Sequence, residues 1–173
     1  AGLAVQGAWV YGALDGGSIT TPETLADPLG EANTLIDAFL ALPHLQNVIT
    51  DSHFMPRERL GRLIGWVARL RAQTGNKALI GIGVDETTAL AVEADGHARV
   101  LTGDAGKAWL VQPTQSASIL VAGKPLSIDA VQVTGLDTNS RYHLPSGKVD
   151  AAADEWTARV DSGTLSVEVH DKD

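Results

Sequence analysis

Apolar positions recur along the chain with different periods in different places. Between residues 56 and 73, Leu60, Leu63, Ile64, Val67 and Leu70 stand three or four apart and form one face of a helix. Pro56 suits the first turn of that helix, where its missing N–H would be unpaired anyway. Thr74-Gly75-Asn76 stops it. Runs without the helical period flank it. Residues 47–50 read as a short buried strand, and the continuous apolar run 78–84 as a strand covered on both faces. Residues 89–93 and 97–102, joined by Ala94-Asp95-Gly96, read as a hairpin. Residues 108–112 read as another strand. Beyond them the pattern is β throughout, with strands at 119–121, 127–133, 157–160 and 165–169 broken by Gly, Pro and Asp. At the other end, residues 1–14 are small and apolar and read as a largely buried helix. Asp15-Gly16-Gly17-Ser18 is a turn. Residues 19–30 form a loop with a short helix opened by Thr21-Pro22-Glu23. Residues 31–42, with Leu35, Ile36, Phe39, Leu40 and Leu42, read as a helix ended by Pro43.

The expected class is therefore α/β, a parallel sheet with helices, followed by a β-rich C-terminal segment. We divide the chain into 1–113, part of an α/β domain, and 114–173, a β-rich tail packed on it or extending it. Pro113-Thr114-Gln115-Ser116 is the joint. The chain starts on a helix and shows two clear parallel strands. A domain of this class runs to about 200–250 residues, so roughly 90–130 more are expected upstream.

Composition narrows the function classes. The 173 residues are 44% hydrophobic and 20% charged, as in globular proteins. No apolar run has the length of a membrane span. The net charge of -8 argues against nucleic acid as partner. The absence of cysteine removes thiol catalysis and thiolate metal sites, and leaves the compartment open between cytoplasmic and periplasmic or secreted.

Chemistry concentrates between residues 51 and 62. Asp51, His53, Arg57, Arg59 and Arg62 follow one strand, and Asp85-Glu86 ends the next. Open α/β sheets place ligands at such strand ends. His53 is the candidate general base, with an acid to orient it; Asp85 and Glu86 are chemically equal to that task. One of the two could instead cap the following segment. Cations at a helix N-terminus oppose its dipole, so the arginines call for a carboxylate, from the protein or a substrate. Asp51 is one such partner; alternatively it meets a substrate guanidinium. No histidine pair has metal-ligand spacing, and no cofactor is expected.

Asp51-Ser52-His53-Phe54 with Arg57, Arg59, Gly61, Arg62 and Leu63 resembles the catalytic-histidine segment of the cyanophycinases. Gly81-Ile82-Gly83-Val84-Asp85-Glu86-Thr87-Thr88-Ala89 resembles their acid-bearing segment. Ala1-Gly2-Leu3-Ala4-Val5 resembles the stretch after the nucleophile of a Gly-x-Ser-Ala-Gly elbow. The three matches stand in the family's order over roughly the first 110 residues. The resemblance, shared with peptidase E, implies a glutamine-amidotransferase-like (flavodoxin-like) fold. It implies a serine exopeptidase that cleaves β-aspartyl peptides through a Ser-His-Glu triad. Cyanophycin, a polyaspartate with arginine on each side chain, is the family's best-known substrate. Carried over, His53 is the base, Glu86 the orienter and Ala1 an oxyanion-hole residue. Asp51, Ser52, Arg57, Arg59 and Arg62 are the substrate contacts. Ser52 stands where the family usually has Gln. The nucleophilic serine falls immediately before Ala1, so a partner fragment carrying it is expected, the chain being a processed or truncated polypeptide. A homodimer of the assembled unit fits the same picture. The alternative is a non-catalytic binding or assembly subunit on the same fold. A glutamine amidotransferase is disfavoured, because its nucleophile is a cysteine.

Overall fold

The computed structural model describes residues 6–13 and 17–170. Its centre is a βαβ unit. Strand β3 (Val48–Ser52) leads through turns into helix α2 (Leu60–Thr74), which returns to strand β4 (Ile80–Val84). β3 and β4 pair parallel from Val48↔Ile80 to Ser52↔Val84. Three-residue β1 (Trp9–Tyr11) lies parallel to β3 on the other side, and β2 (Leu35–Asp37) pairs antiparallel with β1. A short helix α1 (Thr21–Ala26) separates β1 from β2 and carries a capping box between Thr20 and Glu23.

Beyond β4 the sheet changes character. β7 (Ala108–Pro113), β8 (Ile128–Leu136), β11 (Asp154–Asp161) and β12 (Thr164–Val169) add antiparallel, giving an eight-stranded mixed sheet in the order β12-β11-β8-β7-β4-β3-β1-β2. β5 (Thr88–Val92), β6 (His97–Thr102), β9 (Arg141–His143) and β10 (Lys148–Asp150) form a separate four-stranded sheet, ordered β10-β9-β6-β5. Among the described residues no helix is long and apolar enough to cross a membrane.

Two cores sandwich the large sheet. On one face Ile49, Val111, Val131 and Val133 meet Leu63, Ile64, Trp66, Val67 and Leu70 of α2. On the other, Val48, Ile80, Ile82, Val84 and Leu110 meet Ala98, Val100 and Tyr142 of the small sheet. The alternation in β4 follows from this. Its large residues face the small sheet. Its glycines let α2 and the β3–α2 turn approach: a Cβ on Gly81 would lie 2.7 Å from Leu63, and one on Gly83 2.3 Å from the Phe54 ring.

Several sequence expectations change. The α/β class holds, but the sheet is mixed, with parallel pairing confined to β1–β3–β4 among the described strands. Within the expected helix 1–14, Trp9–Tyr11 is a strand; residues 1–5 and 14 lie outside the described residues. Aromatic and β-branched side chains favour that state once neighbours exist, and Val48, Thr34 and Ala38 supply the flanking backbone partners. The helix expected in 31–42 is replaced by the short β2. Helix α2 begins at Leu60, not Pro56, because Glu58 takes a left-handed φ of 51° that no helix accommodates. Residues 119–121 form no strand; Ile119 makes a single bridge to Ser127. β9 and β10 were not expected.

One buried interaction ties these parts together. Asp51, near the end of β3, receives Arg62 of α2 in a two-pronged contact, Nε to Oδ2 at 2.7 Å and Nη2 to Oδ1 at 2.5 Å. Both side chains are deeply buried, being 5% and 4% exposed. The remaining Arg62 nitrogen, Nη1, donates to Ser18 Oγ (2.6 Å) and the Ile19 carbonyl (2.8 Å). The guanidinium also lies over the Trp66 and Tyr11 rings, at 4.8 and 5.6 Å. Removing one member of such a pair leaves an uncompensated buried charge. Arg62→Ala or Asp51→Ala is therefore expected to cost about 3–5 kcal/mol in denaturant unfolding. Asp51→Leu with Arg62→Met should recover part of that loss, since the Arg62 charge goes with its partner and only the partly buried Arg59, 3.5 Å from Asp51, loses a carboxylate. An equal loss in the double exchange would show that the ion pair is not its source. Gly83→Ala is expected to cost about 1–3 kcal/mol by overpacking against Phe54; an unchanged unfolding midpoint would contradict that.

Candidate functional site

Because β3 and β4 run parallel and in register, their C-terminal ends open on the same edge of the sheet. Ser52 sits opposite Val84, so the next residues, His53 and Asp85-Glu86, emerge side by side. His53 takes a left-handed φ of 47°. A non-glycine residue is held there at a cost of about 1–3 kcal/mol, which the surroundings must overcome. They do so through Phe54 and Met55. Phe54 is fully buried; its N–H donates to the Val84 carbonyl (3.2 Å), and its own carbonyl accepts from Arg59 N (3.0 Å). Met55 N donates to Asp85 Oδ1 at 2.9 Å. With the backbone pulled inward after it, the imidazole stays at the surface.

There Nδ1 of His53 lies 2.6 Å from Glu86 Oε1, both side chains about half exposed. A carboxylate accepts only, so Nδ1 carries the proton. In the neutral imidazole Nε2 then bears the lone pair, and it has no hydrogen-bond partner among the described residues. Thr87, after Glu86, is also left-handed at φ 53°. Its hydroxyl donates to Asp104, which further accepts from Thr102 Oγ1 (3.0 Å) and Gly106 N (2.8 Å). These bonds, the Thr87 hydroxyl foremost, hold the exposed Asp104 carboxyl below the usual range.

The two acids after β4 are thus in different situations. Asp85 folds inward and accepts from Met55 N, Lys107 N (3.0 Å) and Trp109 Nε1 (3.1 Å). Its carboxylate fastens the loop after His53 to β7. Glu86 alone of the two reaches the imidazole. Sequence reasoning missed this fastening role of Asp85, as it missed Asp104; the Gly103-Asp104-Ala105-Gly106 turn was the available signal.

The arginines, read from sequence as one group, separate by depth. Arg57 is at the rim, exposed, with Nε 3.8 Å from Glu86 Oε1. Arg59 is mostly buried; its Nη1 donates to the Ser52 carbonyl (2.7 Å) and lies 3.5 Å from Asp51. Burial, and then the neighbouring Arg62 cation, hold the Arg59 pKa below its ordinary value. Arg62 is in the core with Asp51, whose Oδ1 also accepts from Ser52 N (2.9 Å). Ser52 is half buried and its hydroxyl has no hydrogen bond among the described residues. The structure therefore brings His53, Glu86 and Arg57 together at the surface, and Asp51, Arg59 and Arg62 together beneath them. Ala1 lies outside the described residues. A cavity of about 370 Å³ lined by Asn47, Val48, Ala78 and Ile80 is at the opposite ends of the strands. An imidazole with Nδ1 held by a carboxylate and Nε2 open can take a proton from a hydroxyl and return it to a leaving group.

No protein-family profile matches the chain. Curated relatives do. It is 32% identical over 148 residues to proteins named cyanophycinase from Trichormus variabilis and a Nostoc species, covering 83% of this chain. It is 34% identical over 121 residues, 67% of this chain, to one from Synechococcus elongatus. The matched stretch spans 43% of the first two relatives and 35% of the third. Over the stretch they share, the chain is a homologue of these proteins and belongs to the cyanophycinase-like family.

Proposed function

We propose that this chain supplies the base and its orienter to a cyanophycinase-type serine peptidase acting on β-aspartyl peptides such as the Asp-Arg units of cyanophycin. The observation that carries the reading is the 2.6 Å contact between His53 Nδ1 and Glu86 Oε1 at neighbouring strand ends. The nucleophile is a serine of the Gly-x-Ser-Ala-Gly elbow that the family resemblance places ahead of Ala1. His53 Nε2 takes the serine proton as the hydroxyl attacks the scissile carbonyl, then gives it to the leaving amine. Glu86 fixes the tautomer and stabilises the imidazolium. The Ala1 amide contributes to the oxyanion hole. The serine-bearing segment completes a glutamine-amidotransferase-like sheet around β3 and β4.

Magnitudes decide which arginine is available to substrate. An exposed ion pair like Arg57–Glu86 is worth roughly 0–1 kcal/mol, so a substrate carboxylate can displace it. Breaking the buried Asp51–Arg62 pair costs about 3–5 kcal/mol, which a rim-bound substrate does not repay. Arg57 and the Ser52 hydroxyl are accordingly the substrate contacts in this reading, Arg59 shapes the floor through the Ser52 carbonyl, and Asp51 and Arg62 are its frame.

The test is hydrolysis of β-Asp-Arg polymer and β-aspartyl dipeptides by the whole protein, serine-bearing segment included. His53→Ala should lower kcat by up to about a millionfold, as loss of a triad base does. Glu86→Gln should lower it by about ten-thousandfold through the wrong tautomer. Asp85→Asn should chiefly lower the unfolding midpoint. Wild-type turnover in His53→Ala would rule out the dyad, and no turnover by the unaltered whole protein would leave a binding or assembly subunit. Arg57→Ala should raise KM roughly tenfold or more with kcat little changed, as expected for one charge-assisted hydrogen bond of about 1.5–3 kcal/mol; an unchanged KM would return Arg57 to an ordinary surface cation.

A further inference from the structure

A second histidine constellation lies in the small sheet, away from the strand ends of His53. His97 of β6 and His143 of β9 are register partners across an antiparallel pair, so their side chains leave the sheet on one face. Their rings lie with centroids 4.5 Å apart and planes tilted by 39°. Each ring is held at the same atom. His97 Nδ1 is 3.0 Å from Asp95 Oδ2, and His143 Nδ1 is 2.7 Å from Ser146 Oγ. Neither Nε2 has a hydrogen-bond partner among the described residues.

We propose that His97 and His143 form a two-imidazole site for a borderline divalent cation of the zinc type, bound through the two Nε2 atoms. The geometry suits it. With metal–nitrogen bonds of about 2.1 Å, two imidazoles on one tetrahedral ion have ring centroids about 5 Å apart. The observed 4.5 Å is within a small side-chain adjustment of that. The contacts behind the rings also match what such ligands need. A carboxylate on the far nitrogen fixes the tautomer and raises the basicity of the ligating one. Asp95 does this for His97, with Oδ2 3.0 Å from Nδ1 and Oδ1 accepting from His97 N at 3.0 Å. For His143, Nδ1–H donates to Ser146 Oγ, whose own proton can turn to the His143 carbonyl at 3.5 Å.

The charges around the pair permit a cation. Lys148, the register partner of His143 on β10, is paired with Asp150 at 3.0 Å, and Arg99 with Glu93 at 3.6 Å. Among the described residues no group of three or more His, Cys, Asp or Glu is placed to hold a metal. Water, or a group from another molecule, fills the remaining positions. A bound ion would clamp the β5–β6 turn to the β9–β10 hairpin, closing the small sheet across the long excursion through β7 and β8. The role is a fastening one and is independent of the His53–Glu86 chemistry.

The experiment is zinc titration of the whole protein, followed by calorimetry and by the ring-nitrogen NMR shifts of the histidines. One equivalent should bind, with the Nε2 signals of His97 and His143 moving together and the thermal midpoint rising with added zinc. His97→Ala and His143→Ala should each abolish this event. Asp95→Asn should weaken it roughly 10–100-fold while leaving the metal-free fold unchanged, as loss of a carboxylate behind a ligating histidine does. His44→Ala and His53→Ala should leave it intact. Undiminished binding in His97→Ala or His143→Ala, loss of binding in His53→Ala, or no binding at all by the unaltered protein would each overturn the proposal.

Discussion

The buried pair of Asp51 and Arg62 is the constraint on which the site depends. It joins the last turn of β3 to the first turn of α2, and through Ser18 and Ile19 it holds the segment before α1 against both. Two ions taken out of water are tolerated only when nearly every hydrogen-bonding group on each is used, and here they are. The consequence is geometric. The seven residues between β3 and α2 must turn tightly, since both ends are fixed. His53 and Glu58 adopt left-handed backbone within that span. The strain falls on the residue that carries the imidazole, a common location for it in sites where orientation matters.

Two acids and three arginines show how far a sequence can be read. That a histidine and an acid would meet at neighbouring strand ends was legible, because parallel pairing follows from the apolar runs and the helix between them. Which acid was not legible from the residues themselves. Asp85 and Glu86 are adjacent and chemically alike, and only the donors Met55 N, Lys107 N and Trp109 Nε1 draw one of them inward. Two of those donors lie at the start of β7, more than twenty residues away in sequence. The arginines were misgrouped for a similar reason. On an unbroken helix Arg59 and Arg62, three apart, would share a face, with Arg57 turned away from both. The left-handed turn at Glu58 delays the helix to Leu60 and distributes them from rim to core.

The elements that escaped were those stabilised by distant partners. Trp9–Tyr11 has no local signal that separates a strand from a buried helix, and its state is fixed by β3 and β2. β9 and β10 are three residues each and exist because β6 offers an edge. The long helix, with its own period and its stop at Gly75, needed no such help. Local pattern thus outlined the central βαβ unit and most of the antiparallel strands, while the short strands that complete both sheets waited on tertiary pairing.

Gly83 gives the arrangement a further consequence. The Phe54 ring occupies the space that a side chain at Gly83 would need, and Phe54 is the residue immediately after His53. Core and site therefore share one atom-sized gap. A lineage cannot enlarge that position to gain packing without displacing the loop that aims the imidazole, nor shrink Phe54 to re-aim it without opening a void under α2. Change at this edge of the sheet is thereby channelled outward, to the side chains of Ser52, Arg57 and the loops beyond Glu86, where it leaves the interior untouched.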